Sequence, residues 1–194
     1  MTAGQGSRSN RGRLVEARRV LVLGGARSGK SAYAQKLAES AAPERLYLAT
    51  AEAGDEEMAV RIARHQAERG DGWTTVEEPL ELAETLAAAA RPGRAVLVDC
   101  LTLWLSNLMF AGRDVEAEIS LLVETIGSLE GPAIFVSNEV GLALVPETKL
   151  GREFRDGQGR ANREVARACD AVVFVAAGLP TLLKPAPRLD LRLR

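Results

Sequence analysis

Gly24, Gly29, Lys30 and Ser31 stand at the spacing G-x-x-x-x-G-K-[ST], directly after the apolar run Val20-Leu-Val-Leu23. That pattern suits phosphate chemistry. Glycines let the chain turn tightly enough for successive N–H groups to face one anion, and the helix that follows adds the positive end of its dipole. The backbone of Gly24, Gly25, Ala26, Arg27, Ser28 and Gly29 is therefore expected to wrap the phosphates of a nucleotide. Lys30 would reach the β- and γ-phosphates and the Ser31 hydroxyl would ligate Mg²⁺. An ordinary glycine-rich turn is the bland alternative, but the flanks favour the phosphate loop. Four β-prone residues precede it, and Ser31 to Ser40 is a good helix former with Tyr33, Ala34, Leu37 and Ala38 along one face.

Asp99 ends the apolar stretch Val96-Leu-Val98. An acid at the end of a buried strand can sit beside the loop in a parallel sheet and hold Mg²⁺. Its bland reading is a cap on the helix from Leu101. His65 is the only histidine of the chain, and a lone helical histidine is ordinarily a surface residue without chemistry. Glu52, Asp55, Glu56 and Glu57 read as an acidic helix start favoured by the dipole. Arg152, Arg155, Arg160 and Arg163 read either as a solvated face or as forked phosphate contacts, which periodicity does not separate.

The elements that must position these residues follow one rhythm. After the loop and its helix come a strand at 45–50, a helix from about Glu56 to Arg69, a short strand at 73–76 and an alanine-rich helix to about Ala90. The strongest buried-strand signal, 94–99, precedes a mainly apolar helix at 101–110 and another to about Ser128. A strand at 133–137 follows, then a polar loop and helix between Leu150 and Val165, and a last clear strand at 171–176. Gly178-Leu-Pro180 is read as closing the domain. The alternation predicts an α/β fold of the P-loop NTPase kind: a single domain, 20–184, with a largely parallel sheet covered by helices on both faces. Residues 1–19 read as a flexible extension and 185–194 as a tail.

Composition narrows the class. The 194 residues are 46% hydrophobic and 26% charged, as in ordinary globular domains. No apolar run approaches a membrane span and no signal-type segment follows the Arg-rich start, so a cytoplasmic protein is expected. A net charge of −1 and a pI near 6.0 argue against a broad nucleic-acid footprint. Cys100 and Cys169 form no zinc spacing and read as buried free thiols.

Several motifs occur in one order: Gly24-Gly-Ala-Arg-Ser-Gly-Lys-Ser31, Tyr47-Leu-Ala-Thr50, the Met58, Arg61-Ile62, His65, Arg69 helix, and Trp73-Thr-Thr-Val-Glu-Glu-Pro79. Val98-Asp-Cys-Leu-Thr102 with Asn107-Leu108, Ser137-Asn-Glu-Val-Gly141, Val145-Pro146, Phe154-Arg-Asp156 and Gly159-Arg-Ala-Asn162 complete the series. Over roughly Val20 to Lys184 the chain resembles the bifunctional adenosylcobinamide kinase / adenosylcobinamide-phosphate guanylyltransferase family of cobalamin biosynthesis.

The resemblance implies two reactions. ATP or GTP phosphorylates the aminopropanol hydroxyl of adenosylcobinamide, and GTP then gives GMP to that phosphate, releasing pyrophosphate and leaving adenosylcobinamide-GDP. It also implies a GMP-histidine intermediate on the helix after the second strand, which here falls on His65. Some relatives carry two adjacent histidines here and are assigned the first, where this chain has Arg64; one helical position is about 100° of rotation. Neutral imidazole can attack an α-phosphorus, and Mg²⁺ and Lys30 would offset charge on the departing pyrophosphate. Thr50, Ala51 and Glu52 would line the nucleotide site, Glu77 would approach the ribose or base, and Arg155, Arg160 and Asn162 are candidates for the substrate phosphate. A homo-oligomer, a trimer, is implied as well. The alternatives are a P-loop small-molecule kinase without the guanylyl step, or a nucleotide-dependent switch or assembly protein; the Asn-Lys-x-Asp guanine signature of familiar GTPases is absent.

Overall fold

β-branched and leucine-rich runs become the strands of one sheet, and the runs between them become its covering helices. In the computed structural model, residues 15–51, 70, 72–186 and 192 are described. The elements are β1 (Arg19–Gly24), α1 (Lys30–Ala41), β2 (Glu44–Ala49), β3 (Trp73–Glu77), α2 (Leu82–Ala89), β4 (Arg94–Asp99), α3 (Leu101–Phe110), α4 (Val115–Ser128), β5 (Ala133–Asn138), α5 (Lys149–Ala168), β6 (Ala171–Ala176) and β7 (Leu179–Lys184). A single 3₁₀ turn, Val140–Leu142, follows β5. The expected helix at 56–69, with Glu52 and His65, lies outside the described residues.

The strands form one sheet in the order β3-β2-β4-β5-β1-β6-β7. β1 to β6 run parallel and β7 pairs antiparallel with β6. Strand alternation sends residues to two separate cores. On one face Leu21, Val96, Val98 and Phe135 pack with Trp104, Leu108, Leu122 and Val165 of α3, α4 and α5. On the other, Val22, Leu97, Ile134 and Val136 pack on Ala34 and Ala38 of α1. Those alanines, both fully buried, let α1 approach the sheet closely. Trp104 is wholly buried, and its indole Nε1–H donates to Leu80 O at 2.9 Å, so its one polar atom is satisfied.

The structure differs from the sequence reading in three places. β7 was not expected, because Gly178-Leu-Pro180 read as a terminus. Ala177 and Gly178 instead carry φ of 49° and 78°, the two positive values a tight hairpin loop needs. Pro180 is tolerated because β7 is an edge strand. Lys184 ties β7 down by donating from Nζ to the carbonyls of Ala166 and Cys169 at the end of α5, where a cation suits the helix dipole. Second, within the expected extension 1–19, Arg19 opens β1 and Arg18 is bonded to its neighbour: Ala133 N–H donates to Arg18 O and Asp170 N–H to Arg19 O. Third, β5 lies between β1 and β4, so Asp99 does not end a strand neighbouring that of the phosphate loop.

Candidate functional site

Parallel strands deliver their carboxyl ends to one edge, where open α/β sheets bind ligands. Here that edge carries Gly24, Ala49-Thr50, Glu77, Asp99 and Asn138.

The phosphate loop leaves β1 at Gly24 with Arg27 at φ 56° and Gly29 at φ 91°. A Cβ on Gly24 would lie 2.5 Å from Ser28 Oγ and 2.6 Å from Val175 O, so only glycine allows β1 and β6 to flank the loop this closely. Ser28 N–H donates to Gly25 O at 3.3 Å, and the β6–β7 turn braces the loop from outside through Gly178 N–H to Ser28 O at 2.8 Å. Lys30 Nζ donates to Gly25 O at 3.2 Å, which holds the ammonium over the loop. Among the described residues no side chain caps the start of α1, and its first turn has no acid. Its leading N–H groups and positive dipole end are therefore left for an anion.

Alternation decides which strand-end residues share this face. Ala95 and Leu97 face α1, so Asp99 does too; Ile134 and Val136 face α1, so Asn138 follows; Val22 places Gly24 likewise. Lys30 is close enough to act electrostatically on Cys100, whose thiol burial and the Asp99 charge nevertheless push up to about 11. Asp99 ends β4 on this face, and Ser31 lies in the first turn of α1. Among the described residues there is no cluster of three or more His, Cys, Asp and Glu able to hold a metal ion.

Other expected site residues have different surroundings. Thr50 is fully buried, and its hydroxyl donates to Cys100 O at 2.7 Å while accepting Cys100 N–H at 2.8 Å. It clasps β2 to β4 instead of facing outward. Ala51 follows at the sheet edge, half-buried, and Glu77 ends β3 in register with Ala49. Asn107 supports both neighbouring turns by donating from Nδ2 to Thr50 O and Pro79 O. Arg155 pairs with Asp156 at 3.0 Å, and Arg160 with Glu116 at 2.6 Å. Asn162 is 5% exposed: Oδ1 accepts from Ser137 Oγ at 2.6 Å and Gln158 Nε2 at 3.0 Å, and Nδ2 donates to Asn138 O at 3.0 Å and Glu139 Oε1 at 3.1 Å. All its hydrogen-bonding positions are thus engaged inside the protein.

Sequence reasoning assigned no role to the other members of that network: Thr102, Ser137, Asn138 and Gln158. The available signal was a polar Ser-Asn pair ending an otherwise apolar buried strand.

The arrangement is that of a P-loop NTPase. The chain is similar in fold to the assembled ATPase EscN of the type III secretion system of enteropathogenic E. coli, with a TM-score of 0.54 at 14% identity over 83% of this chain and 43% of that one. Among the described residues no helix is long and apolar enough to cross a membrane. It is 48% identical to the bifunctional adenosylcobalamin biosynthesis protein CobP of Pseudomonas aeruginosa, over 87% of this chain and 99% of that protein. It is 37% identical to the bifunctional adenosylcobalamin biosynthesis protein CobU of Salmonella typhimurium, over 85% of this chain and 99% of the relative. The family described as cobinamide kinase / cobinamide phosphate guanyltransferase matches residues 20–183. With the family model matching residues 20–183 and nearly the full length of these relatives covered, the chain belongs to the CobU family of cobinamide kinases and cobinamide phosphate guanylyltransferases.

Proposed function

We propose that this chain performs both family reactions at the carboxyl edge of its sheet, the second through a covalent GMP on His65. The observation that carries the reading is the phosphate loop itself: its left-handed Arg27 and Gly29, the brace from Gly178, Lys30 above it and the start of α1, which no described side chain caps. In the kinase step the loop N–H groups and Lys30 hold the triphosphate, ATP or GTP. The adenosylcobinamide hydroxyl attacks the γ-phosphorus, the bond to the nucleoside diphosphate breaks, and adenosylcobinamide phosphate forms. In the guanylyl step an imidazole nitrogen of His65 attacks the α-phosphorus of GTP and pyrophosphate leaves. The phosphate of adenosylcobinamide phosphate then attacks the same phosphorus, freeing His65 and giving adenosylcobinamide-GDP.

The residues present fit Mg²⁺. Ser31 and Asp99 offer one hydroxyl and one carboxylate, and this ion is commonly held by one or two such groups with substrate phosphates and water. When bound it would neutralise charge on the transferring and leaving phosphate oxygens. Arg155 and Arg160 remain the candidates for the corrinoid phosphate, because their exposed ion pairs with Asp156 and Glu116 are cheap to exchange. Asn162 acts by supporting the loop after β5. Exposed Leu142, Leu144 and Val145 on that loop offer apolar surface to a large macrocycle. A trimer, and a place in the cytoplasm, complete the reading.

The test is incubation with Mg²⁺ and GTP labelled at the α-phosphate, then denaturing separation, intact mass and peptide mapping, with His65→Ala alongside. One GMP on His65, absent from the variant and labile to acid but stable to base, is expected. Nucleotide binding without label would overturn the histidine step and leave a kinase-only enzyme.

A further inference from the structure

We propose that Asn138 is a further catalytic residue of the kinase step. Its carboxamide lies against the terminal phosphoryl group on the phosphate loop and orients the attacking hydroxyl, and Thr102 and Asn162 are the positioning residues that aim it. This rests on the kinase reading above.

Three independent observations converge on Asn138. The first is place. β5 is inserted between β1 and β4, and Asn138 is the register partner of Gly24, the first residue of the loop. The neighbouring Glu139 N–H donates to Gly24 O at 3.3 Å. Asp99 pairs with Val136, two residues earlier on β5, so Asn138 stands above the acid and level with the loop. Because Ile134 and Val136 pack on α1, the Asn138 side chain issues on the face where Lys30 and Ser31 begin that helix.

The second observation is constraint. Asn138 N–H donates to Thr102 Oγ1 at 2.9 Å, and Asn138 O accepts from Asn162 Nδ2 at 3.0 Å. Asn162 is itself held by Ser137 and Gln158, both fully buried. A peptide gripped from both sides by buried side chains fixes the direction in which its own side chain leaves the backbone. Such preorganisation is what transition-state stabilisation requires.

The third is an unmet hydrogen bond. Asn138 Oδ1 is buried and has no partner among the described residues, and Ser28 Oγ in the loop is in the same condition. Buried polar atoms are normally paired, and exceptions call for an explanation. A carboxamide here can donate from Nδ2 to an equatorial γ-phosphoryl oxygen and accept at Oδ1 from the O–H of the attacking alcohol. A carboxamide is not a base, so it takes no proton; it fixes the line of attack.

The test uses the full-length protein with Mg²⁺, ATP and adenosylcobinamide, and measures nucleotide binding separately from turnover. Asn138→Ala is expected to lower kcat for phosphorylation about 100-fold, the size typical of losing one such donor, with nucleotide affinity within about threefold. Lys30→Ala should lose both. Thr102→Val should lower kcat about tenfold at unchanged KM, and Thr102→Ser should restore it, which a merely structural role would not produce. Asn138→Asp keeps the shape but sets an anion against the phosphates. It should be at least as slow as the alanine variant, and serves if that variant folds poorly. Near wild-type kcat in a folded Asn138→Ala or Asn138→Asp protein overturns this proposal alone. Nucleotide binding that depends on Lys30, with no phosphorylation even by the wild type, overturns the kinase reading and this proposal with it.

Discussion

Replacement of Asp170 by Asn should destabilise the fold in a manner that depends on pH. Asp170 immediately precedes β6, at the sheet edge opposite the phosphate loop, and pins the start of β1 beside it. Its Oδ2 accepts from Arg18 N–H at 3.0 Å, Arg19 N–H at 2.9 Å and Arg19 Nε at 3.2 Å, while Oδ1 accepts from Arg19 Nη2 at 2.7 Å. The same guanidinium donates from Nη1 to the carbonyls of Ile126 and Gly127, tying α4 into the corner. These hydrogen bonds, led by that from the Arg19 side chain, hold the carboxyl at about 2 instead of the usual 3.8. The difference corresponds to at most about 2.4 kcal/mol of stability. With the side chain 31% exposed, solvent screening leaves about 1–2 kcal/mol. A carboxyl whose folded value is depressed contributes fully above its unfolded value and loses that contribution as pH falls through the folded one. The difference between wild type and Asp170→Asn should therefore be complete at pH 7, about half as large at pH 3, and vanish below about pH 2. Urea midpoints at fixed ionic strength across pH 7 to 3 measure it. A difference that stays constant over that range, or one below a few tenths of a kcal/mol at pH 7, would refute the assignment of the pin to the ionised carboxylate.

Two further outcomes follow from the loop and from the thiols. Gly24→Ala should cost about 1–3 kcal/mol by overpacking and weaken nucleotide binding by at least tenfold, read by calorimetric titration, because the added Cβ meets the backbone oxygen of Val175. Cys100 and Cys169 are buried, with thiols pushed up to about 11 and about 12 mainly by desolvation. Neither should be alkylated within minutes by iodoacetamide at pH 8 in the native protein, whereas both should react at once in denaturant, as counted by intact mass.

What could be read along the chain was whatever local rules govern. The phosphate loop was legible because glycine spacing followed by Lys-Ser states a backbone conformation directly, and the helix at Leu101–Phe110 because its apolar content and its breaks are contiguous. The α/β class followed from the alternation of elements, and the family from motifs in series. Strand order was not legible: nothing in the residues of β5 says that it inserts between β1 and β4, since that depends on which strands meet after long crossovers. The hairpin strand β7 was hidden because Gly178-Leu-Pro180 carries terminating chemistry and only the pairing with β6 reveals an edge strand.

The same division runs through the site. Types and spacing alone predicted a phosphate loop at Gly24 to Ser31, because a tight turn needs glycine wherever it occurs. Only the tertiary structure decided the rest. Asn162 and Thr50 looked like ligand contacts, yet their polar atoms are taken by Ser137, Glu139 and Cys100, residues distant in sequence, and by Gln158 one helical turn away. Asn138 looked like a strand end, yet the same folding leaves its carboxamide oxygen buried, with no partner among the described residues. A polar side chain's role depends on which partners fold around it, and those partners are set by long-range packing that no local pattern encodes.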